Sequence, residues 1–289
     1  MEDIRRLLRV NQWVKNVFIF LPAFFGFRLF DVSTIVSNGY AFLSFCFLAS
    51  SIYVLNDIVD RGLDRRHPKK KDRPIVSGKV SVKKAVVIFF VLLFLSFLFS
   101  FPIRSTELYL LLCSYLVLNV LYTFFTKNVA IIDVFSVALG YVIRVLVGGV
   151  SGDVEVSCWI VVMTFLLCLF LCFAKRRDDV VLMEGSGKEI RKSVNGYTVE
   201  FMNSILEIIS AVIIALYIMY TVSEQTMERY NSDYVYMTSL FVLLGIFRYL
   251  QITISFKKSG SPTDVLYKDR FLQLCILGWI LCFAVIIYV

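Results

Sequence analysis

Long apolar runs dominate the chain, and most polar residues fall between them. Nine runs are long enough to cross a bilayer as helices, which takes about 20 mostly apolar residues. The runs do not alternate apolar and polar residues as the strands of a membrane barrel do, so the pattern favours helices. The predicted spans lie at 14–30, 35–55, 84–103, 107–126, 130–150, 157–174, 200–222, 234–254 and 270–288.

Composition supports this interpretation. Apolar residues make up 58% of the chain and charged residues 18%, whereas soluble domains average about 45–50% and about a quarter. A water-soluble or disordered chain is therefore excluded. We predict an all-α integral membrane protein, a nine-helix bundle forming one polytopic domain over residues 1–289. Its apolar faces could meet lipid or a second copy alike, which is compatible with a homo-oligomer.

The net charge of +8 is concentrated on one side of the predicted membrane. With the spans above, 25 of the 30 basic residues fall on the N-terminal side, and the opposite side holds only Arg28, Arg104 and Arg229. Cytoplasmic loops carry such an excess. The distribution predicts a multi-pass cell-membrane protein with a cytoplasmic N-terminus and an external C-terminus. Nucleic acid is not needed to explain the charge.

Two polar segments, 56–83 and 175–199, are predicted to be cytoplasmic loops that cap the bundle. If the second span continues as a helix, Asn56, Asp60 and Asp64 share one face at i, i+4 and i+8. Their oxygens suit Mg²⁺, which binds one or two carboxylates together with water and substrate phosphates. Asp57 lies off that face and could support the ligands. The alternative is a solvated helix end with ordinary salt bridges.

The second polar segment combines an acid with a basic cluster. Lys175 and Asp179 are one helical turn apart, and Arg176, Arg191 and Lys192 could bind phosphate oxygens. The alternative is ordinary loop charge of the cytoplasmic side. Composition alone favours that alternative.

Polar residues within or beside other spans are further candidates. Arg144 lies inside the fifth span, where an ionisable residue is functional by default, although an ion pair with Asp133 would also explain it. Tyr122 and Lys127 close the fourth span, where an interfacial aromatic and a loop lysine are ordinary. Glu207 in the seventh span has no explanation from the sequence. Together the candidates indicate transfer chemistry on a phosphate-bearing ligand beside a lipid.

The segment NDIVDRGLD, from Asn56 to Asp64, resembles the NDxxDxxxD motif of the UbiA superfamily of intramembrane prenyltransferases. Nine spans, an acidic motif after the second and a polar segment after the sixth agree with that superfamily. The resemblance covers essentially the whole chain and implies a cytoplasmic active site that uses Mg²⁺.

One departure from typical members points to a particular branch. Lys175 stands where a second motif, DxxxD, has its first acid, so a cation replaces a metal-binding carboxylate. In this the chain resembles the branch of decaprenyl-phosphate phosphoribosyltransferases. Further similar segments are Asn11–Asn16, Asp64–Pro68, Arg73–Ile75, Tyr122–Lys127, Arg144, Lys175–Arg176 and Arg191–Tyr197. Asp179 departs from the glutamate expected there, which leaves its contact open.

The resemblance implies transfer of 5-phosphoribose from 5-phosphoribosyl 1-diphosphate to a polyprenyl monophosphate, with release of pyrophosphate. The implied catalytic residues are Asp60, Asp64, Lys175 and Asp179, with Asn56, Asp60 and Asp64 as metal ligands. The implied substrate-binding residues are Lys15, Asn16, Arg65, His67, Arg73, Tyr122, Lys127, Arg144, Arg176, Arg191, Lys192 and Tyr197.

Two other functions remain open at this point. An aromatic prenyltransferase using a prenyl diphosphate is the alternative enzyme, and the incomplete second acidic motif speaks against it. A transporter or lipid-binding membrane protein is the non-enzymatic alternative. Transporters often show repeat symmetry, and the chain has no convincing repeated polar motif.

Overall fold

The computed structural model describes residues 2–65, 71–186, 192–256 and 262–288, and within these ranges it is helical and contains no strand. The chain forms two compact units, one of Met1–Thr126 with Gly140–Val156, the other of Lys127–Leu139 with Ser157–Val289. Among the described residues, seven helices are long and apolar enough to cross a membrane. The prediction of an all-α membrane protein is confirmed at this level.

One long helix, Val32–Val59 (α3), packs against neighbours in the first unit that include Glu2–Leu8, Val10–Phe20, Val82–Ser100 and Thr106–Phe124. The elements of this unit are α1 (Glu2–Leu8), a 3₁₀ helix (Val10–Phe20), α2 (Leu21–Phe25), α3 (Val32–Val59), α4 (Arg61–Asp64), α5 (Val82–Ser100), a 3₁₀ turn (Phe101–Ile103), α6 (Thr106–Phe124) and the later part of α7 (Ile132–Gly152).

The second unit begins with the first turns of α7, and the pair α8 and α9 forms its largest helix contact. Its further elements are α8 (Cys158–Ser186), a 3₁₀ helix (Lys192–Gly196), α9 (Val199–Thr221), α10 (Glu224–Tyr230), a 3₁₀ turn (Val235–Thr238), α11 (Ser239–Leu250), a π turn (Gln251–Ser255), α12 (Pro262–Lys268) and α13 (Arg270–Tyr288).

Side-chain caps determine where several spans begin. A side-chain oxygen accepts a backbone N–H of the first turn at the start of α3, α5, α6 and α9, from Asp31, Ser81, Ser105 and Thr198 respectively. Asp, Ser and Thr are favoured N-caps for this reason. The starts predicted from the apolar runs, at 35, 84, 107 and 200, lie within three residues of the observed ones.

The first predicted span, 14–30, is not an α-helix over its length. The chain forms the 3₁₀ helix Val10–Phe20 and then the short α2. At the other end, the described apolar stretch of α13, Arg270–Ile286, is shorter than the seven spans. The count of nine spans therefore stays a prediction.

The 3₁₀ helix follows from a three-residue pattern. Trp13, Asn16 and Ile19 are three residues apart and face inward: the Trp13 Nε1 donates to Ser50 Oγ (3.0 Å), and Asn16 and Ile19 are buried. Val14 and Val17, also three apart, are exposed. A 3₁₀ helix has three residues per turn, so this spacing keeps one face buried where an α-helix would rotate it away.

The predicted loop 175–199 is wrong in its first half, because α8 continues as a helix to Ser186. Between Lys175 and Glu184 the sequence is rich in helix-forming Lys, Arg, Leu, Met and Glu and contains neither glycine nor proline. The helix ends at Ser186, directly after Gly185. Glycine is the residue type that most often terminates helices. The basic cluster around Lys175 therefore lies on a helix.

Close packing of α7 against the 3₁₀ helix gives a test of the fold. A Cβ on Gly148 would lie 1.9 Å from the backbone oxygen of Ile19, whereas one on Gly39 in α3 would meet nothing within 4 Å. We expect Gly148→Ala to destabilise the protein by about 1–3 kcal/mol through overpacking, measured by thermal unfolding in detergent. Gly39→Ala is the matched control and should be neutral or mildly stabilising. Equal stability of both variants would contradict this packing.

Candidate active-site residues

The acidic motif keeps helical spacing although α3 ends at Val59. The Asp60 N–H donates to the Asn56 oxygen and the Asp64 N–H to the Asp60 oxygen, both at 2.9 Å. These are i to i+4 bonds, so Asn56, Asp60 and Asp64 lie one turn apart on one helical face. Asn56 Oδ1 accepts a hydrogen bond from Thr123 Oγ1 on α6 (2.5 Å), which orients its amide.

Two arginines neutralise the buried carboxylates of this motif. Arg73 Nη1 donates to Asp64 Oδ2 (2.6 Å) and to Asp57 Oδ1 (3.0 Å), and Arg9 Nη2 donates to the same Asp57 oxygen (2.6 Å). Asp57 and Asp64 are 1% and 2% exposed. A buried carboxylate without a cation would be very costly. Arg73, expected to bind substrate, thus bridges two acids of the motif, and Asp57 binds both arginines.

The oxygen donors on the helical face fit Mg²⁺ as a site shared with a ligand. In the described part of the chain, no group of three His, Cys, Asp or Glu side chains is placed to hold a metal. Two carboxylates and the Asn56 amide oxygen are what this face offers. Mg²⁺ is typically held by one or two carboxylates plus water and phosphate oxygens. The donor set therefore suits a metal that arrives with a phosphate-bearing substrate.

Arg144 and Asn16, both expected to bind substrate, bind each other within the first unit. Arg144 is 5% exposed. Its Nε donates to Asn16 Oδ1 (2.8 Å), its Nη1 to the Gly140 oxygen (2.7 Å) and its Nη2 to Tyr115 OH (3.0 Å). Its guanidinium carbon also lies 4.8 to 5.0 Å from the ring centroids of Phe45, Tyr115 and Tyr141. Aromatic faces stabilise a buried cation that has no carboxylate partner.

A buried acid organises the second polar segment. Asp133, in the first turn of α7, is fully buried. Its Oδ2 accepts hydrogen bonds from Arg176 Nε (2.7 Å) and Ser193 Oγ (3.2 Å), and Arg176 Nη1 also binds Asp179 Oδ2 (3.2 Å). Asp133, the alternative partner considered for Arg144, thus binds Arg176. Asp179, whose contact the resemblance left open, has a basic partner.

Tyr197 is placed against the turn that precedes α7. Its hydroxyl accepts the backbone N–H of Ile131, and its ring stacks on Phe201 with centroids 6.0 Å apart. Burial raises the pKa of the Tyr197 phenol above its usual value. The hydroxyl therefore stays neutral at physiological pH and can serve as a hydrogen-bond acceptor and donor.

The other expected site residues are distributed over both units. Lys15 and Tyr122 in the first unit and Lys127 in the second are half-buried, and Arg65 and Lys175 are exposed. His67, Arg191 and the Lys192 side chain lie outside the described residues. Roles in catalysis or substrate binding for all of these residues stay predictions.

Sequence reasoning missed two residues that hold this arrangement together, Arg9 and Tyr115, and named a third, Asp133, with a different partner. Arg9 is 48 positions from its partner Asp57, and Tyr115 is 29 from Arg144. Neither spacing leaves a local pattern. Asp133 did leave a signal, an acid at the start of a membrane span, but no sequence pattern selects Arg176 as its partner.

The surroundings of Arg144 predict a structural contribution that a lysine cannot replace. Arg144→Lys would leave acceptors of Asn16, Gly140 and Tyr115 unpaired, because lysine lacks the planar fork of donors. We expect a loss of about 1–3 kcal/mol of stability, measured by thermal unfolding in detergent. Arg104→Lys, at an exposed arginine, is the control and should change nothing. Unchanged stability of Arg144→Lys together with lost substrate binding would assign Arg144 to the ligand instead.

Comparison with known proteins places the chain in a family. A model of the UbiA prenyltransferase family matches residues 17–264. A decaprenyl-phosphate phosphoribosyltransferase from Corynebacterium glutamicum is 30% identical over 98% of this chain and 86% of its own length. One from Mycolicibacterium smegmatis is 29% identical, over 98% and 92%.

Solved structures share the fold. A UbiA homolog from Archaeoglobus fulgidus bound to GPP and Mg²⁺ has a TM-score of 0.74 to this chain at 21% identity. The match covers 99% of this chain and 100% of that one. With the family match over most of the sequence, the chain belongs to the UbiA prenyltransferase family, as its acidic motif predicted.

Proposed function

We propose that this protein is a membrane-bound glycosyltransferase that moves 5-phosphoribose from 5-phosphoribosyl 1-diphosphate to a polyprenyl monophosphate of decaprenyl type. Pyrophosphate is released. The relatives that match nearly the whole chain are named decaprenyl-phosphate phosphoribosyltransferases. Activity on a lipid also suits a chain with seven helices apolar enough to lie in a membrane.

One observation carries the choice of donor: the charge of the Lys175–Asp179 helical turn. Lys175 takes the first position of a second acidic motif, and the last acid, Asp179, is bound by Arg176. With a lysine in the first position, this turn offers only one of the two carboxylates that the second motif would give a metal. This turn therefore favours a donor whose phosphates are held by cations. A phosphoribosyl diphosphate is such a donor, because its separate 5-phosphate needs cations in addition to those that bind the diphosphate.

Asn56, Asp60 and Asp64 would hold Mg²⁺, with Asp57 keeping Arg73 beside them. When bound, Mg²⁺ would neutralise charge on the leaving diphosphate. Lys15, Arg73, Lys127 and Lys175 bind donor phosphates in this proposal. Their fixed positive charges stabilise pyrophosphate as it departs. The phosphate groups of either substrate are assigned to Arg191 and Lys192, whereas Arg144 keeps the structural role given by its bonds to Asn16, Gly140 and Tyr115.

The transfer itself needs no general base. A phosphate monoester is already anionic near pH 7, so its oxygen attacks ribose C1 without losing a proton. A bond forms between that oxygen and C1, the bond from C1 to the diphosphate oxygen breaks, and its electron pair leaves with pyrophosphate. The residues need only align the two substrates and stabilise the charge on the leaving group.

The test is an assay of the purified full chain with labelled 5-phosphoribosyl 1-diphosphate, polyprenyl phosphate and MgCl₂. We expect phosphoribosyl-phospho-polyprenol by mass, loss of turnover with EDTA and recovery on added Mg²⁺. Asp60→Ala and Asp64→Ala should each lower kcat/KM about a hundredfold or more, since a metal supplies several kcal/mol of transition-state stabilisation.

The control for these variants is Asp72→Ala, which removes an exposed acid of the same segment and should leave turnover unchanged. Wild-type turnover by Asp60→Ala or Asp64→Ala would overturn the metal assignment. Prenyl transfer from a prenyl diphosphate to an aromatic acid, without phosphoribosyl transfer, would overturn the proposed function.

We further propose nine spans in the cell membrane, with the N-terminus and the active site cytoplasmic and the C-terminus outside. The segment Val10–Phe20 with α2 is the first span. A 3₁₀ helix rises about 2.0 Å per residue against 1.5 Å in an α-helix, so fewer residues cross the membrane. Helix α13 is the ninth. Assembly into a homo-oligomer stays a prediction.

Cysteine labelling tests this topology. In a background lacking the seven native cysteines, Glu155→Cys should react with a membrane-impermeant maleimide on intact cells. Asp72→Cys should react only after the membrane is permeabilised. The reverse pattern would invert the proposed orientation, and reaction of both sites on intact cells would contradict the number of spans between them.

A further inference from the structure

The turn before α7 contains a strained residue. Ile131 has φ of +69°, and among the described non-glycine residues with positive φ it alone is β-branched. β-Branched residues rarely adopt this left-handed conformation, and strain of this kind persists only where the surroundings hold it. Ile131 is 44% exposed, so burial of its own side chain does not explain the conformation.

The segment 193–197 holds this turn at two points, both inside the second unit. The Tyr197 hydroxyl accepts the N–H of Ile131, and Ser193 Oγ donates to Asp133 Oδ2 two residues further on. Tyr197 is itself fixed, being 5% exposed and stacked on Phe201. Arg176 of α8 holds the same Asp133 oxygen from another element.

We propose that Ile131, Asp133, Ser193 and Tyr197 form a latch that keeps the 127–131 turn in its strained form and thereby positions Lys127. Tyr197 and Asp133 are then positioning residues and do not contact substrate. The turn starts at Lys127, in the 3₁₀ turn Thr126–Asn128. The consequence for turnover rests on the proposed function, in which Lys127 binds a donor phosphate.

The latch predicts that Tyr197 is no longer required for activity once the strained backbone of Ile131 is relieved. Tyr197→Phe keeps the ring and loses the acceptor for Ile131, so the turn relaxes. We expect kcat/KM for the phosphoribosyl donor to fall about tenfold to a hundredfold, as for a misplaced binding group. Glycine adopts positive φ freely. The double variant Tyr197→Phe with Ile131→Gly should therefore recover most of the lost activity.

The neighbouring isoleucine provides the matched control. Ile132 is 48% exposed, close to Ile131, but begins α7 with no positive φ. Tyr197→Phe with Ile132→Gly should stay as impaired as Tyr197→Phe alone. If Tyr197 contacts substrate directly, neither glycine restores activity, and that result would overturn the latch. Wild-type kinetics for Tyr197→Phe would overturn it as well.

Hydrogen exchange tests the latch without relying on turnover. In wild-type protein the Ile131 amide should be protected, and Tyr197→Phe should raise exchange in a peptide covering 127–133. Unchanged exchange in that variant would contradict the latch. Absence of product from wild-type protein would instead refute the proposed function. If Tyr197→Phe does not fold, recovery of folded protein on adding Ile131→Gly supports the latch, and continued misfolding argues against it.

Discussion

A guanidinium removed from water must be surrounded by acceptors, and much of this structure follows from how its buried arginines meet that requirement. Arg144 uses an amide, a carbonyl, a phenol and three aromatic faces. Arg176 uses two carboxylates. Because each set of acceptors comes from separate elements, each arginine also joins those elements together.

Arg177 shows how this requirement shapes the backbone. It is 2% exposed, and its Nη1 donates to the Thr253 oxygen (2.7 Å) within the π turn at the end of α11, while its Nε donates to Asn203 Oδ1 (2.6 Å). A π turn interrupts the regular i to i+4 bonding and frees carbonyl groups. The buried guanidinium satisfies one of these, so α8, α9 and the π turn are tied by one side chain.

The basic residues of the proposed site differ in the chemistry of their head groups. Four arginines each have a hydrogen-bond acceptor within the protein at 2.6 to 2.8 Å: Arg9, Arg73, Arg144 and Arg176. Lys175, next to Arg176 in the chain, is exposed. A lysine is a compact charge suited to phosphate, whereas arginine is preferred where planar pairs with carboxylates are buried. In the proposed reaction Lys15, Lys127 and Lys175 therefore bind donor phosphate, and Arg73 contributes from its bridge between two acids.

The sequence by itself determined the features that depend on neighbours along the chain. Apolar runs predicted the approximate starts of α3, α5, α6 and α9, and the spacing of Asn56, Asp60 and Asp64 predicted one helical face. The acidic motif also identified the family. The 3₁₀ helix also has a three-residue spacing in the sequence, that of Trp13, Asn16 and Ile19, but only the structure shows that these residues face inward.

Only the tertiary structure decided which charges pair. Arg9 meets Asp57 across 48 positions, Arg176 meets Asp133 across 43, and Arg144 meets Asn16 across 128. The sequence presents all of these as polar residues in or near membrane spans, each compatible with several partners. The pairing depends on which helix faces pack together, because a buried charge takes whatever acceptor that packing brings within hydrogen-bond distance.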